Sequence, residues 1–228
     1  MPFFFYDQTM LLLIPAIILA LWAQQRVKST FNKYSKIPAV TGMTGGAIAE
    51  RLLQESGLND IEIEEVPGQL TDHYDPRKRK LRLSSAIFRS RSVAAIGVAA
   101  HEVGHAIQHK QAYVAFQLRQ NIFPVANLGS TLAFPLFIAG FLFASPKLMD
   151  IGIVLFSAAV LFQVVTLPVE LNASSRALAL LRSRGYLAEE EVGHARKVLH
   201  AAALTYVAAT AVAVLHLLRL VLLRGTRD

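Results

Sequence analysis

The sequence predicts a mainly α, integral membrane protein with about four transmembrane helices and one small β-hairpin or sheet. Three observations carry that expectation. Hydrophobic residues make up 54% of the 228, and the mean hydropathy of +0.41 is high for a soluble domain. The excess is gathered into blocks of the length needed to cross hydrocarbon, about 20 residues each. Only Ile61-Glu62-Ile63-Glu64 and Leu81-Arg82-Leu83 alternate in the manner of half-exposed strands.

Residues 1–23 form an N-terminal anchor. Its apolar block runs from Phe3 to Ala23, with Phe3 to Tyr6 expected at the interface and Met10 to Ala23 interrupted only by Pro15. No positive side chain precedes the apolar core, which excludes a secretory signal and predicts an uncleaved span. Arg26, Lys28, Lys33 and Lys36 follow closely and by the positive-inside rule place residue 24 onward in the cytosol.

Residues 24–122 have the patterning of a soluble, cytosolic region. Thr44 is expected to cap a helix through Gln54, with Ile48 and Leu52 on one face and Gly57 as its stop. Pro67-Gly68 and Asp75-Pro76 lie between the two strand segments and predict a hairpin or meander. The charges of Lys80 and Arg82 suit an edge strand, to which an extended peptide could add itself. Arg77-Lys78-Arg79-Lys80 is the densest basic run and reads as a solvated loop tip.

Residues 123–169 read as a transmembrane hairpin. Phe123 to Ala144 and Ile151 to Val169 are joined by a short turn facing away from the cytosol, with Pro135 as a kink and Pro168 marking the cytosolic end. Residues 170–200 return to the cytosol. Residues 201–228 are a fourth span, Ala201 to Leu223, and a tail, which places both termini outside. Fourteen of the 23 basic residues fall in 24–122 and five in 170–200, as that topology requires, whereas Arg219, Arg224 and Arg227 run against it.

The net charge of +7 flanks the apolar blocks, so the partner it fits is an anionic lipid surface, with no nucleic acid. With no cysteine there is no disulfide framework and no thiolate nucleophile.

The chemistry centres on His101-Glu102-Val103-Gly104-His105. On a helix, residues four apart share a face, so His101 and His105 can offer two imidazole nitrogens to one tetrahedral metal, with Glu102 beside them to take a proton from water. Such a pattern arises by accident in a chain of this composition on the order of one per cent of the time. Val93 to Ala100 are all Ala, Val, Ile or Gly, which predicts a buried helix where His and Glu need partners. A third ligand must come from elsewhere. His109 lies about 12 Å along the helix from His101, too far to share an ion, and Gln111 stands where a metzincin would carry His. Glu170, at the end of a long apolar block, is the better candidate, because a carboxylate there needs solvent, a partner or a metal. Glu191, with His194 three residues on, is the runner-up; it belongs to an acidic run that suits the first turn of a helix.

The chain resembles the YugP-like family of bacterial membrane zinc metallopeptidases and, more distantly, the HtpX and CAAX prenyl protease type. The similarity runs through the leading anchor, Asp72-His73-Tyr74-Asp75-Pro76, Gly97 to Gln108 around the motif, Leu167-Pro168-Val169-Glu170 with Ala173-Ser174, and Ala201 to Ala209. It implies a gluzincin-like catalytic helix in which His101, His105 and Glu170 hold Zn2+ and Glu102 is the general base. It further implies a multi-pass enzyme of the bacterial inner membrane, active on its cytosolic side against peptide or membrane-protein substrates in the lipid bilayer. Asn172 stands where an acidic residue is expected two positions after the ligand Glu, which leaves Ser174 as a hydrogen-bond partner for a ligand. Tyr206, His200, His194 and Arg176 are candidates to hold an oxyanion, and His73 to contact substrate. A non-catalytic, zinc-stabilised membrane scaffold or adaptor is the rival reading. A channel is disfavoured because the spans carry few charges beyond His216 and Arg219.

Overall fold

The computed structural model describes residues 8–68 and 71–225. The interfacial placement expected for Phe3 to Tyr6, and tail residue Arg227, lie outside them. The chain divides into two compact units: the described parts of Met1–Gln24 and Leu204–Asp228 with Gln117–Pro168, and Gln25–Phe116 with Val169–Ala203.

The apolar unit is built from long helices. A 3-10 turn, Gln8–Leu13, leads into α1 (Ile14–Tyr34), where Pro15 sits in the first turn and its missing N–H costs nothing. Helix α5 (Val114–Leu142) contains Pro124 and Pro135; α6 (Pro146–Ser183) contains Pro168; α7 runs Glu189–Gly225. These four are long and apolar enough to cross a membrane. Within this unit Phe137, Met149, Phe156 and Leu220 pack together, while Leu11, Ile18, Leu21, Phe123, Val154 and Leu161 face outward, as lipid-facing side chains do. Pro168 does not end its helix. Hydropathy marks where the side chains stop tolerating lipid, and the backbone of α6 continues to Ser183; Glu170, Asn172 and Ser174 belong to the second unit and find their partners within it.

The second unit holds α2 (Gly45–Glu55), β1 (Glu62–Val66), β2 (His73–Asp75), β3 (Lys80–Ser84), a short α3 (Ser85–Phe88) and α4 (Val93–Lys110), with the adjoining ends of α1, α6 and α7. Thr44 caps α2 through its hydroxyl, which accepts from the Ala47 amide at 3.2 Å, and Gly57 takes the positive φ of 64° that stops the chain there. Ile48, Leu52, Leu81, Leu83, Ile87 and Ile96 are fully buried at its centre.

The strands form one sheet in the order β1-β3-β2, not a meander. β2 and β3 make an antiparallel hairpin, and β1 pairs with β3 in parallel. Lys80 and Arg82 therefore lie on the central strand, not on an edge. Their charges are tolerated because the register sets Glu62 opposite Lys80 and Glu64 opposite Arg82, with ion pairs of 3.1 and 3.0 Å, while Asp75 reaches Arg82 at 3.2 Å from the other side. In the hairpin turn Asp75 accepts from the amides of Arg77 and Lys78, so Arg77, Lys78 and Arg79 form an exposed tip while Lys80 of the basic run belongs to β3.

Candidate metal centre

Helix α4 starts at Ser92, whose hydroxyl accepts from the Ala95 amide at 3.2 Å, and is buried along most of its length. Gly104 sets how closely it meets α6. A Cβ at that position would stand 2.6 Å from the carbonyl oxygen of Ala173, so the two backbones touch. Ala173 lies less than one turn beyond Glu170, and the contact carries that carboxylate onto the histidine face of α4.

Glu170 Oε2 lies 3.3 Å from His101 Nε2 and 3.6 Å from His105 Nε2, and the three candidate ligand atoms lie within 4.8 Å of one another. Donors bound to one tetrahedral zinc at about 2.05 Å stand about 3.3 Å apart, and the two distances from Glu170 are close to that spacing. Glu170 is 2% exposed, and the imidazole rings meet edge-on with centroids 4.7 Å apart. Two imidazoles and one carboxylate are a donor set suited to zinc, and as three protein ligands they leave a coordination position open.

Glu102, buried on the same helix, feels the charges of His101 and Glu170 and accepts from the backbone N–H of Tyr74 on β2. Burial pushes its carboxyl up to about 7; the charges of Glu170 and Asp72 add to that, and His101 and the Tyr74 backbone N–H oppose it. Asp72 itself accepts from the Ser84 amide at 2.7 Å and from the Ser84 hydroxyl at 3.2 Å, and its burial raises it as well.

Behind the two rings stand neutral groups. His101 Nδ1 is 3.1 Å from Ser174 Oγ, and His105 Nδ1 is 3.0 Å from Gln108 Oε1. Gln108 is fully buried and also donates to the Val169 carbonyl at 2.8 Å and to Asn172 Oδ1 at 2.9 Å. Gln108 entered the sequence reading only as the last residue of the segment around the motif. Its position three residues after His105, on the same face, was the signal that could have found it.

Other singled-out residues lie elsewhere. Glu191 accepts from the Val40 amide at 2.7 Å and the Ala188 amide at 2.8 Å, so its carboxylate closes the start of α7. His194 packs on Tyr34, ring centroids 4.9 Å apart. His109 is half-buried: Tyr74 Oη meets its Nδ1 at 2.9 Å and Phe116 stacks on its ring. Arg176 donates at 2.6 Å to Asn172 Oδ1 and at 2.6 Å to Gln111 Oε1. His200 is exposed and lines a groove of about 390 Å³ between α6 and α7 with Leu171, Ser174 and Arg196. His73 is exposed on β2, with Nε2 3.4 Å from an Arg82 nitrogen. Tyr206 belongs to the apolar unit, where its carbonyl accepts from Thr210 at 2.8 Å.

Four helices of membrane-crossing length and a two-histidine, one-carboxylate cluster on an HExxH helix define a class. The chain belongs to the family described as "Putative neutral zinc metallopeptidase", whose model matches residues 9–225. It is 52% identical over 212 residues, 93% of this chain and 94% of the relative, to the Bacillus subtilis protein named "Putative membrane protease YugP". No solved structure matches it.

Proposed function

We propose that this chain is a membrane-embedded, zinc-dependent endopeptidase that hydrolyses peptide bonds at the cytosolic membrane face, with His101, His105 and Glu170 holding Zn2+. The observation that carries the reading is the meeting of three donor atoms within 4.8 Å of one another, with the buried carboxyl of Glu102 on the helix that holds two of them. Zinc bound there would polarise a scissile carbonyl and make water easier to deprotonate. Glu102 accepts the proton of the attacking water and returns it to the leaving amine nitrogen. β2 is an edge of the sheet and its Tyr74 lies next to Glu102, which supports an extended peptide lying alongside that edge. The rival scaffold reading calls for a closed site of four protein ligands, and the cluster found among the described residues has three.

The test is cleavage of a fluorescent casein by the full chain in detergent. Activity should stop with a chelator, return with zinc and be lost in Glu102→Gln, which keeps its metal. A fully active Glu102→Gln protein removes the assignment. Sidedness rests on the lysine and arginine distribution, and the absence of cysteine makes it testable: a membrane-impermeant thiol reagent should label Lys147→Cys in intact cells and leave Lys78→Cys unlabelled.

A further inference from the structure

We infer that Gln108 is a positioning residue that fixes the tautomer and aim of His105, and that a chain of neutral amides anchored on α6 holds it there. This rests on the metal site proposed above.

The logic starts from a group with no choice. The Val169 carbonyl can only accept, so the side-chain atom of Gln108 that meets it at 2.8 Å must be the amide nitrogen. The oxygen end of Gln108 then faces His105, and Nδ1 of that ring, 3.0 Å away, must carry the proton. Nε2 is left with its free lone pair on the side where Glu170 Oε2 waits at 3.6 Å. A second anchor gives the same answer independently. The Arg176 guanidinium can only donate, so the Asn172 atom it meets at 2.6 Å is the oxygen, and that oxygen also receives the Gln108 amide at 2.9 Å. Both constraints orient Gln108 alike, and burial at 0% exposure denies it water as an alternative partner.

The electronic consequence differs from that of a carboxylate. An anionic acceptor behind an imidazole strengthens the ring as a donor and lowers the electrophilicity of the metal it binds. Here both rings are backed by uncharged groups, Ser174 and Gln108, and Asn172 is an amide too. With such neutral backing Glu170 would be the one negative ligand among the three, and a metal bound there would stay electron-poor.

The experiment measures zinc affinity by chelator competition and the visible spectrum of the cobalt-substituted protein, on the full chain in detergent. Gln108→Leu should lower zinc affinity by about 10- to 100-fold and shift the cobalt bands. Gln108→Glu keeps an acceptor for His105 but loses the N–H that meets the Val169 carbonyl and Asn172 Oδ1, so it should recover part of that affinity and move the acid limb of the pH–activity profile upward. A purely packing role predicts Glu no better than Leu. Asn172→Ala, at a half-exposed position, removes one anchor without touching His105 and should weaken binding about threefold to tenfold; it decides the matter if Gln108→Leu does not fold. Wild-type affinity and an unchanged cobalt spectrum in Gln108→Leu, or in Asn172→Ala if that is the variant available, overturn the inference. Failure of the wild-type chain to bind zinc overturns the metal-site reading instead.

Discussion

The two units treat their large apolar side chains in opposite ways. In the apolar unit Ile18 and Leu21 are about 60% exposed, at 61% and 60%, whereas in the other unit Leu81 and Leu83 are at 0%. One unit is dissolved in its apolar surroundings and the other excludes water from a packed interior. The lesson concerns polar residues. In the packed unit polar groups near the site are tied to one another: buried Glu170 to two imidazoles, buried Gln108 to three partners, half-buried Asp72 to Ser84. Such a network holds side chains at fixed distances, which chemistry needs and lipid-facing helices do not.

Substitutions can break that contrast, beginning with the largest effect. Glu102→Gln should reduce peptide cleavage by about 10²- to 10⁴-fold with metal content unchanged, as read by hydrolysis and elemental analysis together. Glu170→Ala should lose the metal as well as activity, while the protein still fractionates with membranes; retention of one zinc per chain would mean that the third ligand lies elsewhere. Leu81→Ala, in the packed unit, should cost about 2–5 kcal/mol in thermal or denaturant unfolding. Gly104→Ala forces a methyl to 2.6 Å from a carbonyl oxygen and should cost about 1–3 kcal/mol, with zinc affinity falling because α6 and its carboxylate are pushed away. Ile18→Ala, facing outward in the apolar unit, should change stability by less than about 0.5 kcal/mol, and a larger loss would show that this face is packed against something.

What was legible in the sequence was what one helix or one solvent decides. Four apolar blocks stand out because hydrocarbon accepts little else, and the pairing of His101 with His105 needs only a helical turn. Long-range contacts were not legible. The parallel pairing of β1 with β3 depends on non-local register, so a hairpin was expected and the charged strand was assigned to the rim. Likewise the roles of Gln108 and Glu191 are set by the Val169 carbonyl and the Val40 amide, 61 and 151 positions away. Spacing within a helix carries no trace of such distant partners. Pro168 closes the apolar block without ending the helix, because a proline within a long apolar helix is accommodated by its neighbours; the two units divide directly after it.

The closeness at Gly104 has a consequence for how freely this chain can vary. Every other amino acid adds at least one heavy atom where only a hydrogen fits, so a saturation library selected for function should come back nearly empty at that codon. Gly193, also helical, has nothing within 4 Å of where a Cβ would go. There the same library should be permissive, with alanine enriched, and the two glycines, alike in composition and in secondary structure, would mark the fixed and the free ends of its evolutionary range.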